Sequence, residues 1–163
     1  MSSAPDSEAL AAVRRSIGRP RYTQSAQRVL DVAAVEAIAA ATAFPGAGSV
    51  GVAAPLSAWS ILMRSCVEPN PLQLHFDVKS ALGYEFALIT ENRVVADAGP
   101  AVGGRYRHQQ VLRSVGAESE RSVGIGRSWR IDVEYLDAGG TVVAVESYEA
   151  LGYSRRAANG DVR

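Results

Sequence analysis

One stretch, residues 51–64, constrains the fold more than any other part of the sequence. It opens with small residues and Pro55, and proline favours the first position of a helix because its φ is fixed and its missing N–H needs no partner there. Apolar side chains then recur at helical spacing over a broad face: Leu56, Trp59, Leu62, Met63, Cys66 and Val67. A helix that is apolar over so much of its surface is buried. The stretch therefore predicts a buried helix over residues 55–67.

The hydrophobic period changes after residue 84. Four segments then alternate between apolar and polar residues, with turns between them: 86–96, 105–115, 123–136 and 141–153. In the third segment the apolar face is formed by Trp129, Ile131, Val133 and Tyr135. One buried helix followed by an antiparallel meander predicts an α+β fold, in which a curled antiparallel sheet wraps a central helix.

The chain has the length of one domain with short flanking segments. Its 163 residues suffice for a core without disulfides. We predict a flexible or short helical arm over residues 1–20, the domain over 21–153 and a disordered tail over 154–163. A helix capped at Ser25 or Asp31 is predicted to run to Thr42, and a short one over residues 72–82. His75 in that short helix is expected at the surface.

Polar residues on a predicted inner face mark candidate site residues. Alternation places Tyr106, His108 and Gln110 on the face that meets the helix or a partner subunit. Histidine is the usual proton carrier near neutral pH, so His108 is a candidate catalytic residue; the alternative is a hydrogen-bonded histidine at an interface or strand end. Asn92 is a candidate substrate contact or, equally, a satisfied core amide. Asn92 shares its predicted face with Phe86, Leu88, Thr90 and Val94.

Composition excludes several classes of function. The 17 basic and 17 acidic side chains give a net charge of zero, which implies neither a nucleic-acid nor a membrane partner. Cys66 is the single cysteine, so no internal disulfide forms, and a cytoplasmic location is expected. No apolar run is long enough to span a bilayer. We expect no cofactor and no metal.

Several segments resemble the MaoC-like class of hot-dog dehydratases and hydratases. Residues 52–59, Val-Ala-Ala-Pro-Leu-Ser-Ala-Trp, are similar to the family's "IVAPP…W" entry to its central helix. Gly83-Tyr84 and residues 99–104, Gly-Pro-Ala-Val-Gly-Gly, resemble a strand start and the "rPlrpGD" loop, and residues 29–42 resemble the helix before the active-site loop. The resemblance covers residues 22–153, is closest to the N-terminal-type domains of that class, and implies the hot-dog fold.

The acid–base motif of that family is missing here. Its Asp-x-Asn-Pro-x-His stretch follows the upstream helix, where this chain has Thr42-Ala43-Phe44 and no histidine nearby. Residues 68–73, Glu-Pro-Asn-Pro-Leu-Gln, copy the pattern with Glu for Asp and Gln for His. Glutamine has no useful proton to exchange, however, and strands rather than a second central helix follow Tyr84. The expected Asp/His pair is therefore absent, and His108 or a carboxylate is left to replace it.

The helix N-terminus is the part of the family's site that the sequence keeps. In hot-dog enzymes the thioester carbonyl points at backbone N–H groups there, which stabilise a developing enolate. The resemblance therefore implies substrate contacts at the start of this helix, at Leu56, Ser57, Ala58 and Trp59. Alternation adds two candidate substrate contacts on the strands, Asn92 and Tyr106.

Three functions stay open on the sequence alone. The resemblance implies hydration of enoyl or dehydration of 3-hydroxyacyl thioesters; the alternatives are a repurposed cyclase or isomerase of polyketide-type natural-product biosynthesis, or a non-catalytic partner subunit of an active hot-dog hydratase. The expected ligand is an acyl-CoA or acyl-carrier-protein thioester, or a small hydrophobic metabolite. Because a lone curled sheet has an exposed edge, we predict a homodimer, or a heterodimer with another hot-dog chain.

Overall fold

The computed structural model describes residues 5–42, 51, 53–64 and 69–155, which form four helices and six strands. The helices are α1 (Pro5–Arg15), α2 (Val32–Thr42), α3 (Ala58–Arg64) and α4 (Gln73–Ala81). The strands are β1 (Pro20–Arg21), β2 (Arg28–Val29), β3 (Phe86–Ala96), β4 (Arg105–Arg121), β5 (Gly124–Leu136) and β6 (Val142–Ser154). The four long strands confirm the four predicted strand segments, although β4 continues past residue 115, and the α+β prediction is confirmed.

The strands pair in the order β1-β4-β5-β6-β3, with β2 also on β4, and every pairing is antiparallel. Directly paired residues point to the same face. Ile131 in the middle of β5 pairs with Leu112 of β4 and Tyr148 of β6. All three side chains are buried, and the face that they share is called the inner face below.

The two faces of β5 follow the sequence pattern. Its predicted apolar residues lie buried on the inner face: Trp129, Ile131, Val133 and Tyr135. Its charged residues lie on the other face, where Arg113 of β4 pairs with Asp132 and Glu134. A face covered by such ion pairs remains compatible with solvent, so the helices pack on the inner face alone.

A β-bulge in β3 changes which of its residues point inward. The register of β3 against β6 shifts at Thr90. An extra residue reverses the alternation of a strand, so Ala87 packs on the core before the bulge and Val94 packs on it after the bulge. The prediction that Phe86 and Asn92 share one face is therefore wrong. Asn92 points inward, as predicted, but it does so because the bulge at Thr90 reverses the alternation.

The chain enters α3 through a close contact with the loop before β4. The Ala54 N–H donates to the Pro100 carbonyl at 2.8 Å. A Cβ at Gly99 would lie 1.6 Å from the Ala54 carbonyl oxygen, so only glycine fits there. Helix α3 begins at Ala58, because Pro55 lies in the preceding turn and accepts the Ala58 N–H through its carbonyl. The predicted helix start at Pro55 is therefore wrong, because the helix begins after this turn, at Ala58.

Trp59 holds α3 against the sheet. Its side chain is 2% exposed, and its ring lies 5.2 Å from that of Tyr135 and 4.9 Å from that of Tyr106. Its indole N–H donates to the Ala98 carbonyl at 3.0 Å. The predicted buried helix with Trp59 on the strands is confirmed within the described residues; residues 65–68 of the predicted helix lie outside them.

A second helix, α4, also packs on the inner face, for which the sequence pattern predicts one helix alone. Helix α4 buries Leu74, His75 and Val78. The Gln110 side chain joins its first turn to the sheet, because it accepts the Leu74 N–H and donates to the Asn70 carbonyl, both at 3.0 Å. His75 is 5% exposed, so its predicted surface position is wrong.

Helices α1 and α2 complete the packing around this arrangement. Asp31 caps α2 as one of its two predicted caps, since its side chain accepts the Ala33 N–H at 2.8 Å. Helix α1 contributes Val13 to the core. Within the described part of the chain, no helix has the length and apolarity needed to cross a membrane. Residues 156–163 of the predicted disordered tail lie outside the described residues.

Replacing Trp59 by alanine is expected to lower the free energy of unfolding by about 3–5 kcal/mol, the range for removal of a large aromatic side chain from a packed core. Leu56→Ala is the control, because Leu56 precedes α3 and is 47% exposed. Urea denaturation of both variants measures the difference. Equal, small losses in the two variants would contradict the role assigned to Trp59.

Candidate functional site

The inner face carries a buried carboxylate, that of Glu146 in β6. Glu146 is 1% exposed and alternates with Ala144 and Tyr148, which are also buried. The register places it beside Val133 of β5 and Val94 of β3. A carboxylate surrounded by apolar neighbours is costly unless its oxygens accept hydrogen bonds.

Three neutral groups donate to this carboxylate. The Asn92 amide lies 2.9 Å and the Ser60 hydroxyl 3.3 Å from Oε1, and the Tyr135 hydroxyl lies 2.9 Å from Oε2. We call Glu146, Ser60, Asn92 and Tyr135 the Glu146 network. None of the ion pairs found among the described residues includes Glu146. A carboxylate held by neutral donors is suited to accept and return a proton, since no cation fixes its charge.

The Glu146 network extends from the core towards the surface. The Asn92 side chain is exposed and that of Ser60 is half-buried, so two of the three donors connect Glu146 with the outside. The ring of Trp59 lies next to Tyr135 of this network, Tyr106 packs in turn against Trp59, and the Tyr106 hydroxyl accepts the Ala101 N–H at 2.9 Å. The fold thus brings together three predicted substrate contacts, Trp59, Asn92 and Tyr106.

Three buried aromatic residues adjoin the Glu146 network and are called the His75 cluster: His75, Trp129 and Tyr148. The ring of His75 lies 5.4 Å from that of Trp129 and 6.2 Å from that of Tyr148. Burial, with a contribution from Lys79, lowers the pKa of His75, so its ring is neutral at pH 7. Burial and the charge of Glu146 raise the pKa of Tyr148, so its hydroxyl keeps its proton.

His108 lies on the inner face, opposite Tyr135. It is 1% exposed, and its backbone pairs with Gln24: the His108 N–H donates to the Gln24 side-chain oxygen at 3.1 Å, and the Gln24 N–H donates to the His108 carbonyl at 2.9 Å. Burial, and then the charge of Arg28, lowers the pKa of His108 to about 4. The ring is therefore neutral at pH 7. The catalytic role of His108 stays a prediction.

The backbone donors expected at the start of α3 are only partly available. The Ala58 N–H donates to the Pro55 carbonyl at 2.9 Å and is thus engaged within the turn. Leu56 and Ser57 are exposed and precede the helix. These two residues remain as donors for the contact that the family resemblance implies.

Two segments, residues 42–44 and 68–73, were compared with the missing acid–base motif, and the structure describes only part of each. Helix α2 ends at Thr42, and residues 43–50 lie outside the described residues. In the alternative motif, Glu68 lies outside them too. Asn70 and Gln73 instead start α4: the Asn70 side chain accepts the Leu72 N–H at 2.9 Å, and the Gln73 amide donates to Asp77 at 3.0 Å.

Sequence reasoning did not single out Glu146, Ser60 or Tyr135 as a group. The signal for Glu146 is its place in β6, where it alternates with Ala144, Tyr148 and Ala150. A charged residue on the apolar face of a strand is an exception that needs a reason. Within the described residues, no three side chains of the metal-binding types come together.

Comparison with solved structures identifies the fold. The chain is similar to a chain of the ChsH1–ChsH2 complex from Mycobacterium tuberculosis, with a TM-score of 0.70 and 17% identity over 93% of this chain and 97% of that chain. It is also similar to a MaoC-like dehydratase, with a TM-score of 0.60 and 19% identity over 87% of this chain and 43% of that longer chain. A third similar structure is that of the HadBC (3R-hydroxyacyl-ACP dehydratase) complex of M. tuberculosis. Its TM-score is 0.55, with 14% identity over 82% of this chain and 96% of that chain.

These similarities confirm the hot-dog fold and, at the level of the fold, the resemblance to MaoC-like proteins. No protein-family model matches the sequence, and no curated protein matches it. The site residues must therefore be argued from this chain's own geometry.

The buried state of His108 predicts a specific loss of stability in acid. Its pKa is about 4 in the fold against 6.5 for an ordinary histidine, so the unfolded chain binds the proton first as the pH falls. Between about pH 7 and about pH 4.5 this difference removes about 2–3 kcal/mol of stability. Urea denaturation of the wild type and of His108→Gln at both pH values isolates the contribution of His108 to this loss, because the contributions of the other titratable groups are the same in both proteins and cancel. An equal loss in both proteins would contradict it.

Proposed function

We propose that this chain is a divergent MaoC-like hot-dog protein that hydrates enoyl thioesters or dehydrates 3-hydroxyacyl thioesters, with Glu146 moving the proton. The fold supports the class of reaction, because proteins described as a MaoC-like dehydratase and a 3R-hydroxyacyl-ACP dehydratase share it. The observation that carries the proposal is the Glu146 carboxylate, buried on the inner face and held by neutral donors.

One carboxylate is sufficient for the proton transfers of this reaction. In dehydration, Glu146 takes the proton from the α-carbon, the C–O bond at the β-carbon breaks and the C=C bond forms. The same proton then joins the departing hydroxide to give water, and hydration follows the reverse path. Tyr135 on Oε2 and Asn92 on Oε1 hold the two carboxylate oxygens in position during both steps.

The surroundings of Glu146 suggest how the thioester is placed. The exposed Asn92 and half-buried Ser60 mark the side from which it approaches. The rings of Trp59 and Tyr106 supply an aromatic wall. The backbone N–H groups of Leu56 and Ser57 face its carbonyl, with Ala58 engaged in its turn. The thioester is carried by coenzyme A or by an acyl carrier protein.

The same proton step also fits the alternative activities. If Glu146 returns the proton to another carbon without loss of water, the product is an isomer. If the carbanion that Glu146 leaves attacks a carbonyl carbon of the same acyl chain, a C–C bond forms, the carbonyl oxygen takes up the proton, and the product is a ring. These correspond to the isomerase and cyclase that the sequence left open. Hydro-lyase chemistry is preferred, because two of the structures that share the fold are named as dehydratases.

A second candidate function is that of partner subunit. Two of the similar structures, the ChsH1–ChsH2 and HadBC complexes, are named as complexes of two proteins. In such an assembly this chain would shape a shared pocket while the other chain supplies the acid–base pair.

The edge of the sheet provides the surface for assembly. Strand β3 lies at the end of the strand order, and three of its aliphatic side chains are exposed: Leu88 (39%), Ile89 (44%) and Val95 (52%). An unpaired edge with apolar side chains favours pairing with another chain. We infer that a homodimer, or a heterodimer with a second hot-dog chain, forms along β3.

Glu146→Gln tests the proposed proton transfer. Glutamine keeps the size of the side chain but cannot exchange the proton, so turnover of enoyl thioesters is expected to fall by about 10²–10⁴-fold. Glu149→Gln is the matched control, since Glu149 is exposed on the same strand. The assay uses purified protein, with circular dichroism to verify folding.

Unchanged turnover in Glu146→Gln would eliminate Glu146 as the proton carrier. His108→Gln in the same assay tests the prediction made from sequence; a fall of the same size there would transfer the role to His108. If the wild type turns over only after a second hot-dog chain is added, the partner-subunit function is favoured.

Replacing Val95 by lysine is expected to weaken self-association at least about tenfold, because a charge placed in the interface loses its water. Leu88→Lys should act in the same direction. Val123→Lys is the control, since Val123 is 39% exposed but lies in the turn between β4 and β5. Sedimentation at several protein concentrations measures the effect. A wild type that is monomeric without any partner would contradict assembly along β3.

A further inference from the structure

The His75 cluster contains three buried polar atoms without a hydrogen-bond partner among the described residues. They are Nδ1 of His75, Nε1 of Trp129 and the hydroxyl of Tyr148. The residues are 5%, 1% and 1% exposed, respectively. Buried polar atoms in native proteins nearly always have partners, so each exception requires an explanation. Because these three exceptions lie on neighbouring residues, a single explanation is needed for all of them.

The three residues of the His75 cluster lie next to one another. Trp129 and Tyr148 lie on the inner faces of adjacent strands, with Trp129 paired to Ala150, two residues beyond Tyr148. His75 covers both from α4, with ring centroids 5.4 Å and 6.2 Å away. The three side chains therefore adjoin one another between α4 and the sheet.

The donor chemistry of the cluster fits an oxygen atom. The Trp129 indole N–H only donates, and the protonated Tyr148 hydroxyl both donates and accepts. The neutral His75 ring adds one further donor or acceptor at Nδ1, according to its tautomer. A keto oxygen can accept from two of these groups, and a hydroxyl can also donate to the third. Apolar atoms would leave all three unsatisfied.

The position of the cluster relates it to the substrate of the proposed reaction. Tyr148 follows Glu146 by two residues on the same face of β6, a separation of about 6.6 Å along a strand. Several carbon–carbon bonds span that distance. A group bound at the cluster would thus belong to the acyl chain, beyond the carbons on which Glu146 acts.

We propose that His75, Trp129 and Tyr148 bind a keto or hydroxyl oxygen on the acyl chain of the substrate, and so select oxygenated over plain hydrocarbon chains. The inference rests on the proposed function for its thioester class. It differs from that function in the residues concerned, and it is tested by binding rather than by turnover.

The test compares octanoyl-CoA with its derivative carrying a keto oxygen on the penultimate carbon, using isothermal titration calorimetry. Both thioesters are saturated and therefore report binding alone. The wild type is expected to bind the keto thioester about tenfold more tightly, the equivalent of one hydrogen bond. Tyr148→Phe, which removes only the hydroxyl, should abolish most of this preference. Tyr153→Phe on the same strand, where Tyr153 stacks on Phe86, should retain it.

The possible results distinguish a failure of the oxygen site from a failure of the proposed function. Equal binding of the two thioesters by the wild type, or an unchanged preference in Tyr148→Phe, overturns the oxygen site alone. Binding of neither thioester overturns the substrate class of both proposals. An unaffected Glu146→Gln together with a preference that Tyr148→Phe abolishes would leave the oxygen site standing without the proton transfer.

A melting experiment on the unliganded protein provides a second, independent test. Because the Tyr148 hydroxyl has no partner among the described residues, its removal is expected to leave the Tm unchanged or to raise it. A fall in Tm greater than that of Tyr153→Phe would show that the hydroxyl is already bonded within the protein, and would overturn the inference.

Discussion

The contact of Trp59 with the sheet is the interaction on which the rest of the structure depends. Its indole N–H is bound to the Ala98 carbonyl, and its ring lies against Tyr106 and Tyr135. These contacts fix both the depth and the rotation of α3. Because Ser60 is the next residue, the same contacts direct its hydroxyl towards Glu146. Core packing and the candidate site thus share one geometric origin.

The polar residues of the inner face fall into two groups, according to whether their polar atoms have hydrogen-bond partners among the described residues. Gln110 has partners within the fold at both ends of its amide, since it accepts the Leu74 N–H in the first turn of α4 and donates to the Asn70 carbonyl just before that helix. Glu146 likewise has three donors. The polar atoms of His75 and Tyr148 are not satisfied within the described residues. Buried polar atoms without partners are rare in native proteins and each requires an explanation, and this contrast distinguishes the His75 cluster from the other polar residues of the inner face.

The sequence predicted those features that depend on local periodicity. Alternation along β5 defined its buried face correctly, and the apolar run after Pro55 predicted the helix that carries Trp59. Features set by tertiary packing could not be predicted in this way. His75 occupies a short helix whose polar sequence favours the surface, yet the sheet draws it inward. Gln110 was grouped with His108 as a pocket residue, and only the position of α4 shows that it binds backbone.

The candidate site was predicted in part for a similar reason. Trp59, Asn92 and Tyr106 were named from the family resemblance and from alternation, and the fold brings them together. Glu146 comes from the last strand and Ser60 from α3, and no local pattern joins residues so far apart in sequence. Long-range hydrogen bonds of this kind depend on strand order, which periodicity does not determine.

The bulge at Thr90 has a consequence for how the chain tolerates changes in length. An edge strand can absorb an inserted or deleted residue as a bulge, because only one neighbouring strand of the same chain, β6, must adjust. The same change in β5, which pairs on both sides, would turn its whole apolar row outward. Natural variation in length among related chains should therefore accumulate in β3 and spare β5. The position of Asn92 relative to Glu146 would then be the part of the site most easily retuned during evolution.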